Sequence, residues 1–288
     1  MAEIKTLVED IYSLFDPNKG HEPNEDNLNE FAENLKDLLR TRLAKREVLN
    51  NPLRFSSLGR PDRQIWYMAK GYPQEDISAK TYFKFLYGDV IEQLLLFLAK
   101  ESGHSVEQAQ AELEVNGVKG HIDAVIDGVL VDVKSASPYG YKKFVLQTVT
   151  EDDPFGYTQQ LSGYAQVVTP GQAPAWLAMD KVSGAICLSP LSQSIVKDYP
   201  VDERIDHLKE VIEQDEPPAR CYEDEEDGKS GNRKLGTACG YCAFKFSCHP
   251  DLRVFSYSNG PRFLTRVAKL PDVPEVTETF KKNGNQET

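Results

Sequence analysis

Three charged side chains interrupt an otherwise apolar stretch of this chain: Asp123, Asp132 and Lys134, in "GHIDAVIDGVLVDVKSAS" at residues 120–137. Asp127-Gly128 stands between two runs rich in Val and Ile, the strongest short-range signal for a two-residue hairpin. With those residues as the turn, Ile126 pairs with Val129, Asp123 stands opposite Asp132, and His121 opposite Lys134. Side chains alternate between the faces of a strand. One face then carries Ile122, Ala124, Ile126, Val129, Val131 and Val133, and the other His121, Asp123, Val125, Leu130, Asp132 and Lys134. Two ionised carboxylates about 5 Å apart repel by ~3 kcal/mol at an effective dielectric of about 20, and like charges directly opposite destabilise a sheet. One lysine offsets this in part; a divalent cation held by oxygen ligands offsets it better. A solvated hairpin face with an ordinary Lys134 ion pair accounts for the same residues, so the rest of the chain must discriminate.

Glu92, in "YGDVIEQLLLFLA", is the next candidate. Helical spacing sets it among Phe85, Gly88, Leu95, Leu96 and Ala99, inside an apolar stripe. A buried carboxylate without a partner either neutralises or finds a cation. Gly88, one turn earlier, leaves room for another backbone. Cys239-x2-Cys242-x5-Cys248, with Cys221 upstream as a fourth, has metal-ligand spacing. Four thiolates there suit a [4Fe–4S] cluster or tetrahedral Zn²⁺. Cys187 falls in an expected strand and reads as a small buried hydrophobe. His249 is left out of the ligand set, because adjacent residues rarely reach one ion together. Arg60 and Arg63, flanked by Ser56, Ser57 and Gly59, suit bidentate contact with a DNA phosphate. Lys142 and Lys143 follow the charged strand and could line the same groove.

The elements that must position these residues follow from periodicity. Residues 4–15 and 28–44 have helical apolar spacing, 54–71 is a loop running into a helix, and 81–100 is a largely buried helix. An Asn-Gly turn and then the Asp-Gly turn make residues 112–135 a three-stranded antiparallel meander. A helix at 157–168, a hairpin at 175–191 and a helix near 202–213 follow. This order predicts an α+β (mixed α/β) fold with a central, mostly antiparallel sheet flanked by helices. The polar segment between Cys221 and Cys239 is too poor in apolar residues to order itself, and the last twenty or so residues read as a loose tail.

Composition sets limits. The 288 residues are 40% hydrophobic and 27% charged, with net charge −12, which suits a soluble globular protein and not a generic nucleic-acid coat. No apolar run reaches membrane-spanning length, and the opening "MAEIKTLVED" has no secretory h-region, so a cytoplasmic protein with no membrane partner is expected. Five cysteines then read as reduced thiols or metal ligands.

Gly120-His121-Ile122-Asp123, then Asp132-Val133-Lys134 after an apolar strand, resembles the signature of the PD-(D/E)XK nuclease superfamily, with Asp where the family more often has Glu. "GDVIE", ending in Glu92, resembles its first motif, and "QLSGY", Gln160 to Tyr164, resembles the Q-x-x-x-Y motif of the RecB-like branch. "CGYCAFKFSC" resembles the C-terminal cysteine triplet of iron–sulfur RecB-like nucleases, including AddB and the CRISPR-adaptation nucleases. Those relatives take their first cysteine from before the nuclease core, where "GRPDRQIWY" here has none. The resemblance covers roughly residues 54–250. It implies a restriction-endonuclease-like core and a Mg²⁺- or Mn²⁺-dependent DNA nuclease, an exonuclease like those of bacteriophages rather than an endonuclease. Asp123, Asp132, the Val133 carbonyl and Glu92 would hold the ion, metal-bound hydroxide would attack, and Lys134 would orient it, with Gln160 and Tyr164 completing the site. DNA is the implied partner, with a second copy or a single-strand-annealing recombination protein beside it. The expected domains are a helical region at 1–53, the nuclease core at 54–216, a cysteine-cluster region at 217–252 and an extension at 253–288 with a flexible end. The rival expectation is a scaffold that binds DNA through a nuclease fold and structural cluster without cutting.

Overall fold

A computed structural model describes residues 3–44, 53–75 and 79–283. They form two compact units, one gathering residues 3–44, 53–59 and 79–205, the other residues 60–75 and 206–283. In chain order the helices α1 (Leu7–Ser13), α2 (Glu25–Leu43), α3 (Asp62–Ala69) and α4 (Ala79–Glu101) precede the strands β1 (Val106–Glu107), β2 (Glu112–Val115), β3 (Val118–His121), β4 (Ala124–Ile126) and β5 (Val129–Ala136). Then come α5 (Pro138–Val145), α6 (Tyr157–Val168), β6 (Ala175–Asp180), β7 (Ile186–Pro190), α7 (Gln193–Asp198) and α8 (Val201–Glu213).

The first unit is built on a five-stranded sheet of order β1-β4-β5-β6-β7. Only the β5–β6 pair among these is parallel; α5 and α6 lie in the long connection that a parallel crossover requires. The fold is mixed α/β and mostly antiparallel, as the element order predicts. On one face, Ala124, Ile126, Val131, Val133 and Leu177 pack against Leu7 and Ile11 of α1 and Ile91, Leu95, Leu96 and Ala99 of α4. Each Val, Leu or Ile among them removed from water stabilises the fold by roughly 1.5–3 kcal/mol. The opposite face is covered too. Leu130, Val125 and Trp176 are buried there with Phe144 of α5 and Leu161 and Tyr164 of α6. The face that carries Asp132 is therefore an interior face, not a solvated one.

The β4–β5 hairpin has the expected register, with Ala124 opposite Val131 and Ile126 opposite Val129. Asp127 (φ 49°) and Gly128 (φ 81°) both take the left-handed conformation that a type I′ turn demands. The meander, however, breaks at Ile122-Asp123. The Ile122 N–H donates to the Ala111 carbonyl (3.1 Å) and the Asp123 carbonyl accepts from Gln110 N–H (3.1 Å), so segment 110–111 occupies those backbone groups. β2 and β3 consequently form a sheet of their own, and His121 pairs with Glu112 rather than standing opposite Lys134.

Two glycines and a cap fix α6. Asp153 accepts the N–H groups of Tyr157 (3.0 Å) and Thr158 (2.7 Å), satisfying the first turn. Gly156, at φ 73°, presses backbone to backbone on Gly59, where an added Cβ would meet the Gly156 Cα at 2.4 Å. Apolar periodicity does not mark helix α5. Its start is capped by Ser137, whose hydroxyl accepts the Gly140 N–H (3.2 Å), with Pro138 in the first turn.

In the second unit Trp66 and Tyr67 of α3 pack with Val211 and Phe244. The polar segment expected to stay unordered forms β8 (Glu225–Glu226) and β9 (Arg233–Lys234), followed by short helices α9 (Thr237–Gly240) and α10 (Lys245–Cys248). These strands join β10 (Arg253–Tyr257) and β11 (Gly260–Arg266) in a four-stranded sheet. Polar contacts replace the missing apolar ones. Asp224 accepts from Arg233 Nε (2.6 Å) and the Thr265 hydroxyl (2.6 Å), and Asp227 pairs with Arg262 (2.8 Å). The expected loose tail is likewise partly structured: α11 (Thr277–Asn283) is tied to β10 through the Thr277 hydroxyl, which accepts the Val254 N–H (2.9 Å). Residues 284–288, where the flexible end was expected, lie outside the described residues. Among the described residues no helix is long and apolar enough to cross a membrane.

Candidate active site

Alternation along β5 puts Asp132 and Lys134 on one face, and the hairpin register brings Asp123 alongside. Asp123 Oδ2 accepts the Val133 N–H at 2.6 Å, which anchors the carboxylate to β5. Asp132, only 6% exposed, pairs with Lys134 Nζ at 2.5 Å. The same ammonium lies 5.0 Å from the centre of the Tyr157 ring, a cation–π contact that holds it from a second side. Glu92 arrives from α4. That helix runs close to β5 at Gly88, where a Cβ would sit 3.2 Å from the Ser135 hydroxyl. Glu92 Oε1 accepts from the Gln110 side-chain amide, and Glu92 also lines a cleft of about 500 Å³ between α2 and α4.

The electrostatics follow from three carboxylates and one ammonium under cover. Burial pushes the Glu92 carboxyl up to about 9, with Asp123 and Asp132 adding to the rise and Lys134 opposing it. Burial, then Asp132, push Asp123 up to about 7 against the pull of Lys134 and the Val133 N–H. For Lys134 burial acts downward, but Asp132 and Asp123 outweigh it and hold the ammonium above its ordinary value. The two aspartates thus favour the protonated form of Lys134. The cluster is short of positive charge.

Gln160 and Tyr164 lie one turn apart on α6. Burial raises the Tyr164 hydroxyl to about 12, with Asp132 adding to the rise and the Gln160 side chain and His121 backbone opposing it. The Tyr164 ring, 3% exposed, stacks on Phe55 at 5.0 Å. A Cβ on Gly120 would meet Phe55 Cβ at 2.5 Å and the Tyr164 hydroxyl at 2.8 Å, so only glycine fits between them. Tyr164 therefore props the segment leading into Asp123. Motif reading did not single out Gln110 or Tyr157. Tyr157 could have been found, since it stands one helical turn before Gln160; Gln110 could not, because only the break at Ile122-Asp123 brings it to Glu92.

The cysteines gather in the second unit. Cys221, Cys239, Cys242 and Cys248 line one cleft of about 50 Å³, and none is disulfide-bonded. Burial pushes the Cys239 thiol up to about 11, with Cys242, Cys248 and Cys221 adding to it. Burial also raises Cys242 and Cys221. Arg60 and Arg63 belong to this unit. Arg60, lowered by burial, feels the charge of Cys242. Arg63 stands beside Cys248 and donates to the Pro218 carbonyl and to the Tyr67 hydroxyl (2.9 Å). Their cationic groups thus accompany the thiols. Cys187 lies apart, half-buried in β7, and Lys143 is engaged by Asp152 at 2.5 Å. As they stand, no three His, Cys, Asp or Glu side chains among the described residues converge closely enough to hold a metal ion.

Residues 54–249 match the PD-(D/E)XK nuclease superfamily, and the chain belongs to that superfamily. Comparison with curated proteins gave no significant match. Among solved structures, one titled "Crystal structure of SSO0001" is similar at a TM-score of 0.40 and 16% identity, over 74% of this chain and 93% of that one.

Proposed function

We propose that this chain is a Mg²⁺- or Mn²⁺-dependent deoxyribonuclease, an exonuclease of the RecB-like type. The observation that carries the reading is the buried cluster in which Asp123, Asp132 and Glu92 share Lys134. Glu92 and Asp123, both raised by burial and by neighbouring carboxylates, form with Asp132 an oxygen-rich set that favours a hard cation. Asp123, Asp132 and Glu92, with the Val133 carbonyl, would hold it. When bound, the ion polarises the phosphodiester and lowers the pKa of a bound water. The chain's own residues do the rest. Lys134 stays protonated and stabilises negative charge developing on the phosphate, held in place by Asp132 and Tyr157. The Val133 N–H orients Asp123, Gln110 orients Glu92, and the Gln160–Tyr164 pair props the strand end. The four cysteines are a thiol set suited to a [4Fe–4S] cluster, with Zn²⁺ as the alternative; nearby arginines offset their negative charge. The exonuclease preference, a bacteriophage-type setting, cytoplasmic action and a recombination or self-association partner rest on family resemblance.

End-labelled linear DNA and closed circles, each with Mg²⁺ and with EDTA, test the reading. Linear DNA should be degraded from its ends, circles should survive, and EDTA should stop the reaction. Cut circles would replace the exonuclease with an endonuclease. Intact DNA under both Mg²⁺ and Mn²⁺ would leave a DNA-binding scaffold.

A further inference from the structure

Helix α4 advances about 100° per residue, and its buried stripe runs through Ile91, Leu95 and Ala99. Followed back toward the N-terminus, the stripe passes Glu92 and Gly88 and continues into Phe85, Lys84 and Thr81. Its character changes there. Phe85 is 45% exposed although it continues a core stripe, Lys84 is exposed beside it, and Tyr82 meets the Phe85 ring edge-on at 6.5 Å. Residues 79–88 contain Lys80 and Lys84 and no acid, in a chain whose net charge is −12. Phe85 stands two turns, roughly 10 Å along the axis, from Glu92.

We infer that this half of α4 binds single-stranded DNA, with Phe85 as a base-stacking platform and Lys84 as a phosphate contact leading the strand to Glu92. The inference deepens the nuclease reading and rests on it only for the direction of delivery. A flat apolar ring beside an ammonium matches the alternation of base and phosphate along an unpaired strand. Duplex DNA keeps its base faces stacked on one another and offers nothing to the ring. Tyr82 supports the edge of Phe85, so the platform is braced before a base arrives.

Fluorescence anisotropy of a labelled single-stranded oligodeoxynucleotide tests this, with the full chain in EDTA so that nothing is cut. Phe85→Ala should weaken binding about 5- to 150-fold, the range of one lost base stack, and Phe85→Trp should keep it. Lys84→Ala should make the dependence of log K on log[salt] shallower by about 0.7, one phosphate's worth for a single strand. Phe83, 70% exposed, lies on the opposite side of the helix, so Phe83→Ala should bind as wild type does. Wild-type affinity in Phe85→Ala would overturn the inference, as would equal weakening by Phe83→Ala or no binding by the wild type. So would light scattering that shows Phe85→Ala turning a dimer into a monomer, which would make this face a contact between copies. Failure of the nuclease reading looks different: binding through Phe85 with no Mg²⁺-dependent cutting keeps the platform and removes the enzyme.

Discussion

At the scale of single residues, the shortage of positive charge around Asp123, Asp132 and Glu92 sets how the site responds to protons and metal. Asp123 and Glu92 have folded-state pKa values raised to about 7 and about 9, above their unfolded values. Groups raised in this way contribute stability that is fully present below the unfolded pKa and lost as pH rises through the folded one. In EDTA the protein should therefore melt at a lower temperature at pH 8 than at pH 5, and Mg²⁺ should restore much of the loss at pH 8. Asp123→Asn keeps an oxygen for the Val133 N–H and removes one charge. It should stabilise the metal-free protein by about 1 kcal/mol at pH 8 while abolishing cleavage. A melt independent of pH and unaffected by Mg²⁺ would mean the carboxylates are compensated by something other than a cation. Lys134→Met strands the buried Asp132 carboxylate and should cost about 3–5 kcal/mol. The double variant Asp132→Asn/Lys134→Met removes both charges and should recover most of that in urea titrations, with no activity in either.

At the scale of elements, the hairpin was legible because its turn chemistry and two-residue period both point to one register, and the structure has that register. The break at Ile122-Asp123 was not legible. Nothing in the residue types of "GHID" says that segment 110–111 will take those backbone groups, since competition between distant segments leaves no local signal. The covering of the Asp132 face by α5 and α6 was hidden for the same reason. Gly120 shows the middle case: a motif glycine whose purpose appears only with its neighbours, Phe55 and Tyr164, in place. Gly120→Ala should destabilise by about 1–3 kcal/mol through overpacking and displace Tyr164, visible as a changed near-ultraviolet circular dichroism signal. Gly88→Ala meets only a serine hydroxyl at 3.2 Å, which can turn away, and should be milder. Equal melts for Gly120→Ala and wild type would remove Tyr164 as the prop of the Asp123 segment.

At the scale of the whole molecule, the two compact units each hold one of the chain's two tryptophans, and each indole is 2% exposed. Trp176 lies on β6, in register with Asp132 of β5. Trp66 packs with Tyr67, Val211 and Phe244, and Cys242 and Cys248 flank that cluster. This arrangement allows the cysteine centre to be tested where it acts. Sequence spacing pointed to a shared ion, and the four thiols do line one cleft, but the choice between iron–sulfur and zinc depends on chemistry the spacing shares. Anaerobically purified protein should be brown, with broad absorption near 400 nm expected by resemblance to iron–sulfur relatives. Cys242→Ser should lose the metal and loosen the second unit. In a Trp176→Phe background, Trp66 fluorescence should then shift to the red and melt earlier. In a Trp66→Phe background, Trp176 fluorescence should change little, because its core is made by the first unit's own helices. Colourless protein carrying one zinc ion would replace the cluster with zinc and keep the structural role. Protein with neither metal, and a Cys242→Ser variant whose Trp66 signal melts with the wild type, would remove the metal centre altogether.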